Sequence, residues 1–490
     1  MKKIILGILA IISFQGNAQK KKTLEWISST EKTPWQSKTL SADKSSEKAI
    51  EIYTNKPLQK IDGFGACFNE LGWTSLSELS QSDKDLIFRE LYSQKGANFT
   101  MARMPIGAND FSRDWYSYNE TDGDFEMKNF SIKNDYETLV PFIKSALKYK
   151  PNLNLWASPW SPPTWMKYNK YYALSKVPGL IKNVDNGIKD DQLVKEGTDN
   201  FVQEDKYFKA YALYFKKFVE AYRKENIKIS MVMPQNEFNS AQWYPSNTWT
   251  PTGLSKFIAQ LGPEMKSIGI NVFFGTLERK NAMLFSEVYK NPEAKKYIKG
   301  LGVQWEGKEA VSAIHKEYPT LPIYQSEHEC GNGKNNWDYA EYSWDLMKHY
   351  LLNGASAYLY WNISLLDGGV SRWGWKQNSL ITVNAKNKTY KWNPEFYLMK
   401  HFSHYVQPGA VLLETSSPVV EKNRGDVLGF WKGNLSSNTD NVLAFRNLDS
   451  SVVVIVYNDQ DIPKEFNIKV GHLNLNPTLE SKSFNSILIK

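Results

Sequence analysis

The order of apolar runs along this chain predicts a (β/α)8 TIM barrel with an accessory all-β sandwich, and three observations carry the prediction. Between residues 58 and 405, eight strand-length apolar runs alternate with stretches of helical periodicity. After residue 406 the runs shorten and are punctuated by Asn, Asp, Gly and Ser, the pattern of an all-β module. Two of the barrel runs, 232–237 and 323–327, end in a carboxylate. An apolar run of strand length is buried, so its end is where the chain leaves the core and faces a cleft.

Taken in order, residues 1–18 read as a secretory signal. Lys2 and Lys3 give the basic start, 4–14 the apolar stretch, and Gly16-Asn17-Ala18 the small residues before a cut ahead of Gln19. The expected location is periplasmic or extracellular. That stretch is too short to span a bilayer and no later segment is long and apolar enough, so no integral membrane segment is expected. Residues 19–57 are polar and mixed with short β-like stretches, and are expected to complete the C-terminal sandwich. The barrel strands are predicted at 61–68, 99–107, 152–159, 229–237, 271–278, 298–306, 321–327 and 355–363. Helix-like stretches lie between them, among them 77–92, 134–148, 206–224 and 337–352. The loop 168–205 after the third strand is long and rich in Lys, Asp, Asn and Gly; it is expected to wall one end of the cleft. Residues 406–490 form the sandwich, with strands at 428–431, 441–446, 452–457, 466–470 and 483–489.

Composition narrows the chemistry. The chain has 490 residues, 41% hydrophobic, enough for a barrel plus a second domain. Net charge is +8, but the basic residues are scattered, without a basic run or stripe, which argues against nucleic acid. The chain has 17 Trp, and flat indole faces stack on sugar rings. A Gly-rich dinucleotide loop is missing, since 63–68 supplies two of the three small positions. There is no Gly-x-Ser-x-Gly elbow and no His-Glu-x-x-His, so neither a hydrolase triad nor a metal or other cofactor is expected. Cys67 and Cys330 are the only cysteines and are expected as free, buried thiols.

Glu237 and Glu327 close the fourth and seventh predicted strands, about three βα units of roughly 30 residues apart. Two carboxylates across one barrel mouth suit glycosidic bond cleavage, in which one protonates the leaving oxygen and the other attacks the anomeric carbon. Asn236, beside the acid, can bond the sugar 2-hydroxyl. The acid needs a raised pKa, which a nearby negative Glu327 would supply.

The motifs also carry a resemblance. Ile61-Asp62-Gly63-Phe64-Gly65, Arg103-Met104-Pro105, Asp110-Phe111-Ser112, Ala157-Ser158-Pro159-Trp160, Pro162-Pro163-Thr164-Trp165, Asn236-Glu237, Ser326-Glu327 and Tyr360-Trp361-Asn362 stand in order, followed by Trp375 and Asn378. Together they resemble glycoside hydrolase family 30, near the glucosylceramidase branch of retaining β-glycosidases. The resemblance implies Glu237 as acid/base and Glu327 as nucleophile. It also implies that Asp110, Trp160, Asn236, Trp361 and Asn378 line the sugar subsite, with Arg103 beneath the carboxylates. Where the branch has His-Trp-Tyr, this chain reads Gln304-Trp305-Glu306. Trp305 is kept as a substrate contact, and Glu306 is expected to face a sugar hydroxyl or a cation. His328-Glu329-Cys330 also departs from the branch and is expected at the rim. The expected activity is an exo-acting β-glucosidase or β-fucosidase on a carbohydrate or glycoconjugate. The alternatives are an endo-β-1,6-glucanase or xylan-active enzyme and, in another class, a non-catalytic glycan-binding protein.

Overall fold

The computed structural model describes residues 23–40, 48–423 and 433–490. The expected signal at 1–18 and the expected strand at 428–431 lie outside the described residues. Eight parallel strands close into a barrel: β1 (Gly63–Cys67), β2 (Met101–Pro105), β3 (Asn154–Ser158), β4 (Ile229–Val232), β5 (Asn271–Leu277), β6 (Ile298–Gln304), β7 (Ile323–Glu327) and β8 (Ala355–Asn362), with β8 pairing back onto β1. Every residue of β1, β2, β7 and β8 is buried, which is why these strands show no in-and-out alternation; Arg103 in β2 and Gln325-Ser326-Glu327 in β7 are polar residues buried among them. Gly65 is required by the closure of the barrel. A Cβ there would sit 1.8 Å from the Met101 carbonyl oxygen across the β1–β2 pair.

The strand at 229–237 is shorter than its apolar run. It stops at Val232 because Pro234 has no N–H to continue the ladder. The chain stays near its neighbours through Met233 N–H to the Ala157 carbonyl (2.9 Å) and Asn236 N–H to the Pro159 carbonyl (2.8 Å). Glu237 therefore lies beyond the strand, at φ 46°. The stretch 77–92 is also divided, into helices Glu70–Ser77 and Gln81–Tyr92. Ser80 interrupts it and caps the second helix by accepting from Asp83 N–H.

The helix Asp205–Lys224 buries one stripe. In it, Phe208, Tyr211, Phe215, Phe218 and Tyr222 recur at three- and four-residue spacing and are buried. Tyr211 stacks on Phe257 of helix Pro251–Ser267 at 4.8 Å, and a buried ring such as Phe257 contributes about 1.5–3 kcal/mol by leaving water.

The second domain is built from both ends of the chain. In its nine-stranded sheet, Leu24–Ser29 pairs with Ser483–Ile489, and Ile50–Lys60 lies between Val411–Thr415 and Ile468–Val470. The strand Val442–Arg446 sends Val442 and Ala444 into the domain's own core, and Leu443 and Phe445 toward the barrel. Both faces are covered, so the strand is apolar throughout. On helix Pro394–Ser403, His401 lies between Ser486 Oγ (2.8 Å) and Ser29 Oγ (2.9 Å) and joins the two units; burial keeps it neutral, with its pKa lowered to about 3. Cys67 and Cys330 are free and buried.

Candidate active site

The pocket lies at the C-terminal ends of the barrel strands, where a β/α barrel presents its functional loops. It encloses about 170 Å³ and is lined by Asp110, Glu237, Gln242, Trp243, Tyr244, Glu278, Arg279, Trp305, Glu327, Trp375 and Gln377.

The two carboxylates are provisioned differently. Glu327 ends β7; its Oε2 accepts from Arg103 Nη1 (2.9 Å) and Gln304 Nε2 (3.1 Å), and its Oε1 from the Trp305 indole N–H (3.0 Å). Burial pushes its pKa up, and Arg103, Trp305 and Gln304 pull against that push. Among the described residues, no cation is hydrogen-bonded to Glu237. Its Oε2 accepts from Gln242 Nε2 (3.0 Å) and Tyr244 OH (3.1 Å), and its Oε1 from Gln304 Nε2 (3.4 Å). Its pKa rises to about 7, first through burial and second through the charge of Glu327. The sequence pointed to Glu327 as the source of that rise; desolvation is the larger cause.

Arg103 is fully buried beneath both acids. Besides Glu327, it donates to Asn236 Oδ1 (2.7 Å), Ser158 Oγ (2.9 and 3.2 Å), the Ser326 carbonyl (3.1 Å) and Gln304 Oε1 (3.4 Å). Asn236 Oδ1 also accepts from Gln304 Nε2 (3.1 Å) and Thr276 Oγ1 (3.2 Å). With the oxygen occupied, the amide orientation is fixed and its NH2 group is left for a ligand. Asp110 Oδ1 is buried and, among the described residues, accepts no hydrogen bond. Its pKa is raised well above the usual carboxylate range by burial, then by Glu327 and Glu237. A ligand hydroxyl is the partner such an oxygen lacks.

The structure places three expected contacts away from the residues that line the pocket. Trp160 and Trp361 stack on each other at 5.3 Å, nearly fully buried, and the Arg103 guanidinium lies 4.5 and 5.4 Å from their rings. They form the support under Arg103 and are not among the residues that line the pocket. Asn378 turns away: its Oδ1 accepts from Gly333 N–H (2.9 Å) and Asn335 N–H (3.1 Å), and its Nδ2 donates to Glu395 (2.8 Å). Gln377 faces the pocket in its place. Glu306 is also off the pocket, because β6 stops at Gln304 and a 3-10 turn begins at Trp305, which carries φ 48°. His328, Glu329 and Cys330 are buried behind β7 and do not form the rim.

Sequence reading missed Gln242, Tyr244, Glu278, Arg279 and the bridging role of Gln304. Glu278 was findable, since it follows a barrel strand on the same face as the other acids. Burial and then the Glu237 charge push its pKa to about 8, and it pairs with Arg279 and Ser240. Tyr244 and Gln242 sit on a loop with no periodicity to mark them.

The loop 168–205 is tied down across the pocket edge. Glu196 takes Arg279 Nε and Nη2, both at 2.8 Å. Asp199 takes Thr250 N–H and Oγ1, also at 2.8 Å each. The buried Lys167 ammonium donates to Ser161 Oγ (3.0 Å) and the Tyr172 and Ser246 carbonyls (2.8 Å each), joining this loop to the one after β4. Among the described residues, no cluster of three His, Cys, Asp or Glu could hold a metal ion, and no helix is long and apolar enough to cross a membrane.

Comparison with known proteins follows the same lines. The model for the glycosyl hydrolase family 30 TIM-barrel domain matches residues 61–406, and that for the family 30 beta sandwich domain matches 433–487. The lysosomal acid glucosylceramidase of Mus musculus is 27% identical over 444 residues, 84% of this chain and 78% of that protein. The endo-1,6-beta-D-glucanase of Aspergillus fumigatus is 26% identical over 394 residues, 75% of each. A solved endo-β1,6-glucanase structure shares the fold, with a TM-score of 0.78 over 95% of this chain and 98% of that one at 22% identity.

Proposed function

Because this chain belongs to glycosyl hydrolase family 30, we propose that it cleaves β-glycosides by double displacement, with Glu327 as nucleophile and Glu237 as acid/base, removing single terminal sugars. The carrying observation is the unequal provision of two buried acids that share one amide. Glu327 has a guanidinium and two further donors that favour its anion, and Glu237 has a pKa raised to about 7 that keeps a proton available. Gln304 Nε2 lies 3.4 and 3.1 Å from an oxygen of each. That holds these oxygens at or inside the lower end of the ~6.5–9.5 Å spacing of inverting pairs, toward the ~5–5.5 Å of retaining pairs.

In the first step a Glu327 oxygen bonds the anomeric carbon, the glycosidic C–O bond breaks, and Glu237 gives its proton to the departing oxygen. The ester that forms has no charge, so one of the two influences raising the Glu237 pKa disappears. Glu237, now anionic, takes a proton from water as that water attacks the anomeric carbon, and Glu327 leaves as the carboxylate. The Asn236 NH2 group is placed for the 2-hydroxyl and Asp110 Oδ1 for another hydroxyl.

The small volume supports removal of one sugar at a time. About 170 Å³ lies below the ~300–1,000 Å³ of general ligand pockets, and the loop bearing Glu196 closes its edge through Arg279. A β-glucoside or β-fucoside is the favoured substrate. A panel of 4-nitrophenyl β-glycosides beside β-1,6-glucan tests this. Release of one sugar from one aryl glycoside is expected, and cleavage of the polymer alone into oligomers refutes the exo reading. The second reading, an endo-β-1,6-glucanase, is favoured by the Aspergillus fumigatus relative. The basic, apolar and small-residue order of 1–18 supports export; a secreted chain beginning at Gln19 is the expected result of N-terminal sequencing.

A further inference from the structure

Trp305 is held in a conformation that bulky residues avoid. Its φ of 48° is left-handed, at a cost of about 1–2 kcal/mol. That turn aims its indole N–H at Glu327 Oε1, 3.0 Å away. Its carbonyl receives Lys308 Nζ at 3.4 Å. Lys308 and Glu329 form a buried ion pair at 2.9 Å, with side chains 3% and 2% exposed. Tyr342 OH donates to the other Glu329 oxygen (2.8 Å). A buried pair of this kind is seldom a net source of stability, because desolvation offsets the attraction. It does fix geometry.

The same turn is anchored from the β domain. The Lys308 carbonyl accepts from His349 Nε2 (2.9 Å), and His349 Nδ1 accepts the Ser436 N–H (2.7 Å), which sets the His349 tautomer. Ser436 lies on the strand Asn434–Asn438, and Asn353 Nδ2 donates to its hydroxyl (2.9 Å). A continuous run of contacts therefore leads from the C-terminal domain to the carboxylate at the barrel mouth.

We propose that Lys308 is a positioning residue: paired with Glu329 and bonded to the Trp305 carbonyl, it holds the turn that aims the Trp305 indole at Glu327, and His349 and Ser436 tie that turn to the β domain. The inference rests on the reading of Glu327 as nucleophile. The charged and titratable groups facing Glu327 are Arg103 from β2, Asp110 from the loop after β2, Glu237 and Tyr244 from the loop after β4, and Cys67 from β1. Of the hydrogen bonds to Glu327, the one from Trp305 depends on Lys308. Its loss disfavours the anion and moves the acidic limb of kcat/KM to higher pH.

The test is Lys308→Met/Glu329→Leu, which removes both charges and leaves neither buried alone. An activated 2-deoxy-2-fluoro β-glycoside of the preferred sugar labels the nucleophile, located by peptide mass spectrometry. The expected result is labelling of Glu327 about tenfold more slowly, the loss of one hydrogen bond to a charged group, with the acidic limb shifted upward. In a Trp305→Phe background the same pair of changes is expected to have little further effect. Should the double variant not fold, Lys308→Met/Glu329→Gln, which also removes both charges and keeps an acceptor for Tyr342, carries the same expectation. A folded variant with an unchanged labelling rate and limb, or effects that add fully to Trp305→Phe, overturns the inference. Wild-type label on a residue other than Glu327 overturns the premise instead, and the peptide map distinguishes the two failures.

Discussion

Arg103→Lys keeps the charge beneath the carboxylates and removes the fork. In the native structure Nη2 holds Asn236 and Ser158 while Nη1 holds Glu327, Gln304 and the Ser326 carbonyl. An ammonium is a point donor, so a lysine that reaches Glu327 gives up Asn236 and Ser158. The contacts to those two side chains are each worth about 1 kcal/mol, and the guanidinium over Trp160 about 0.5–1 kcal/mol more. The loss of about 2–3 kcal/mol corresponds to a fall on the order of 10² in kcat/KM. It should appear mainly in kcat, because Asn236, then held only by Gln304 and Thr276, aims its NH2 group less firmly at the sugar as the transition state forms. The assay is steady-state hydrolysis of the preferred aryl glycoside, with thermal unfolding as the fold control. An Arg103→Lys enzyme within about threefold of wild type, on a scale where about 1.36 kcal/mol is tenfold, refutes the reasoning. The charge alone would then suffice.

Further outcomes follow from the same geometry. Glu237→Ala should lose far more rate on poor leaving groups than on a dinitrophenyl glycoside, with azide restoring turnover as a β-glycosyl azide; equal losses without rescue would remove its acid role. Glu237 has a folded pKa of about 7 against an ordinary 4.5, so its contribution to stability is full below about 4.5 and is lost as pH rises through about 7. Glu237→Gln should therefore gain in Tm over wild type on going from pH 5 to pH 8, and a pH-independent difference would contradict the shift. Glu196→Ala cuts the long loop's tie to Arg279, which stays paired with Glu278, and so loosens the loop. Because the Glu196–Arg279 pair is partly exposed, stability should change by about 1 kcal/mol or less, while activity on oligosaccharides rises relative to aryl glycosides. An unchanged ratio would mean that the loop is not a wall.

The barrel was legible because its strands are largely buried, so most of each is an apolar run, with polar exceptions such as Arg103 in β2 and Gln325-Ser326-Glu327 at the end of β7. All eight appear within a few residues of their expected positions, and the largest departure, at 229–237, traces to Pro234. The two acids were legible for the same reason, as charges at the ends of such runs. The roles of Trp160, Trp361 and Asn378 were not. A tryptophan near a strand end is apolar and aromatic whether it faces the sugar or supports an arginine, and an asparagine carries no sign of which way its amide turns.

The sequence by itself determined the burial pattern, and through it the barrel, the split β domain and the places where Glu237 and Glu327 emerge. Burial is a sum over the local order of apolar and polar side chains, so it is written along the chain. Tertiary structure alone decided which groups meet at the mouth. Gln304 between the acids, Tyr244 and Gln242 on Glu237, Arg279 on Glu196 and Lys308 behind Trp305 are contacts that only the folded chain brings together. Their energies depend on angstrom distances and on exclusion from water, and both arise only when the barrel closes.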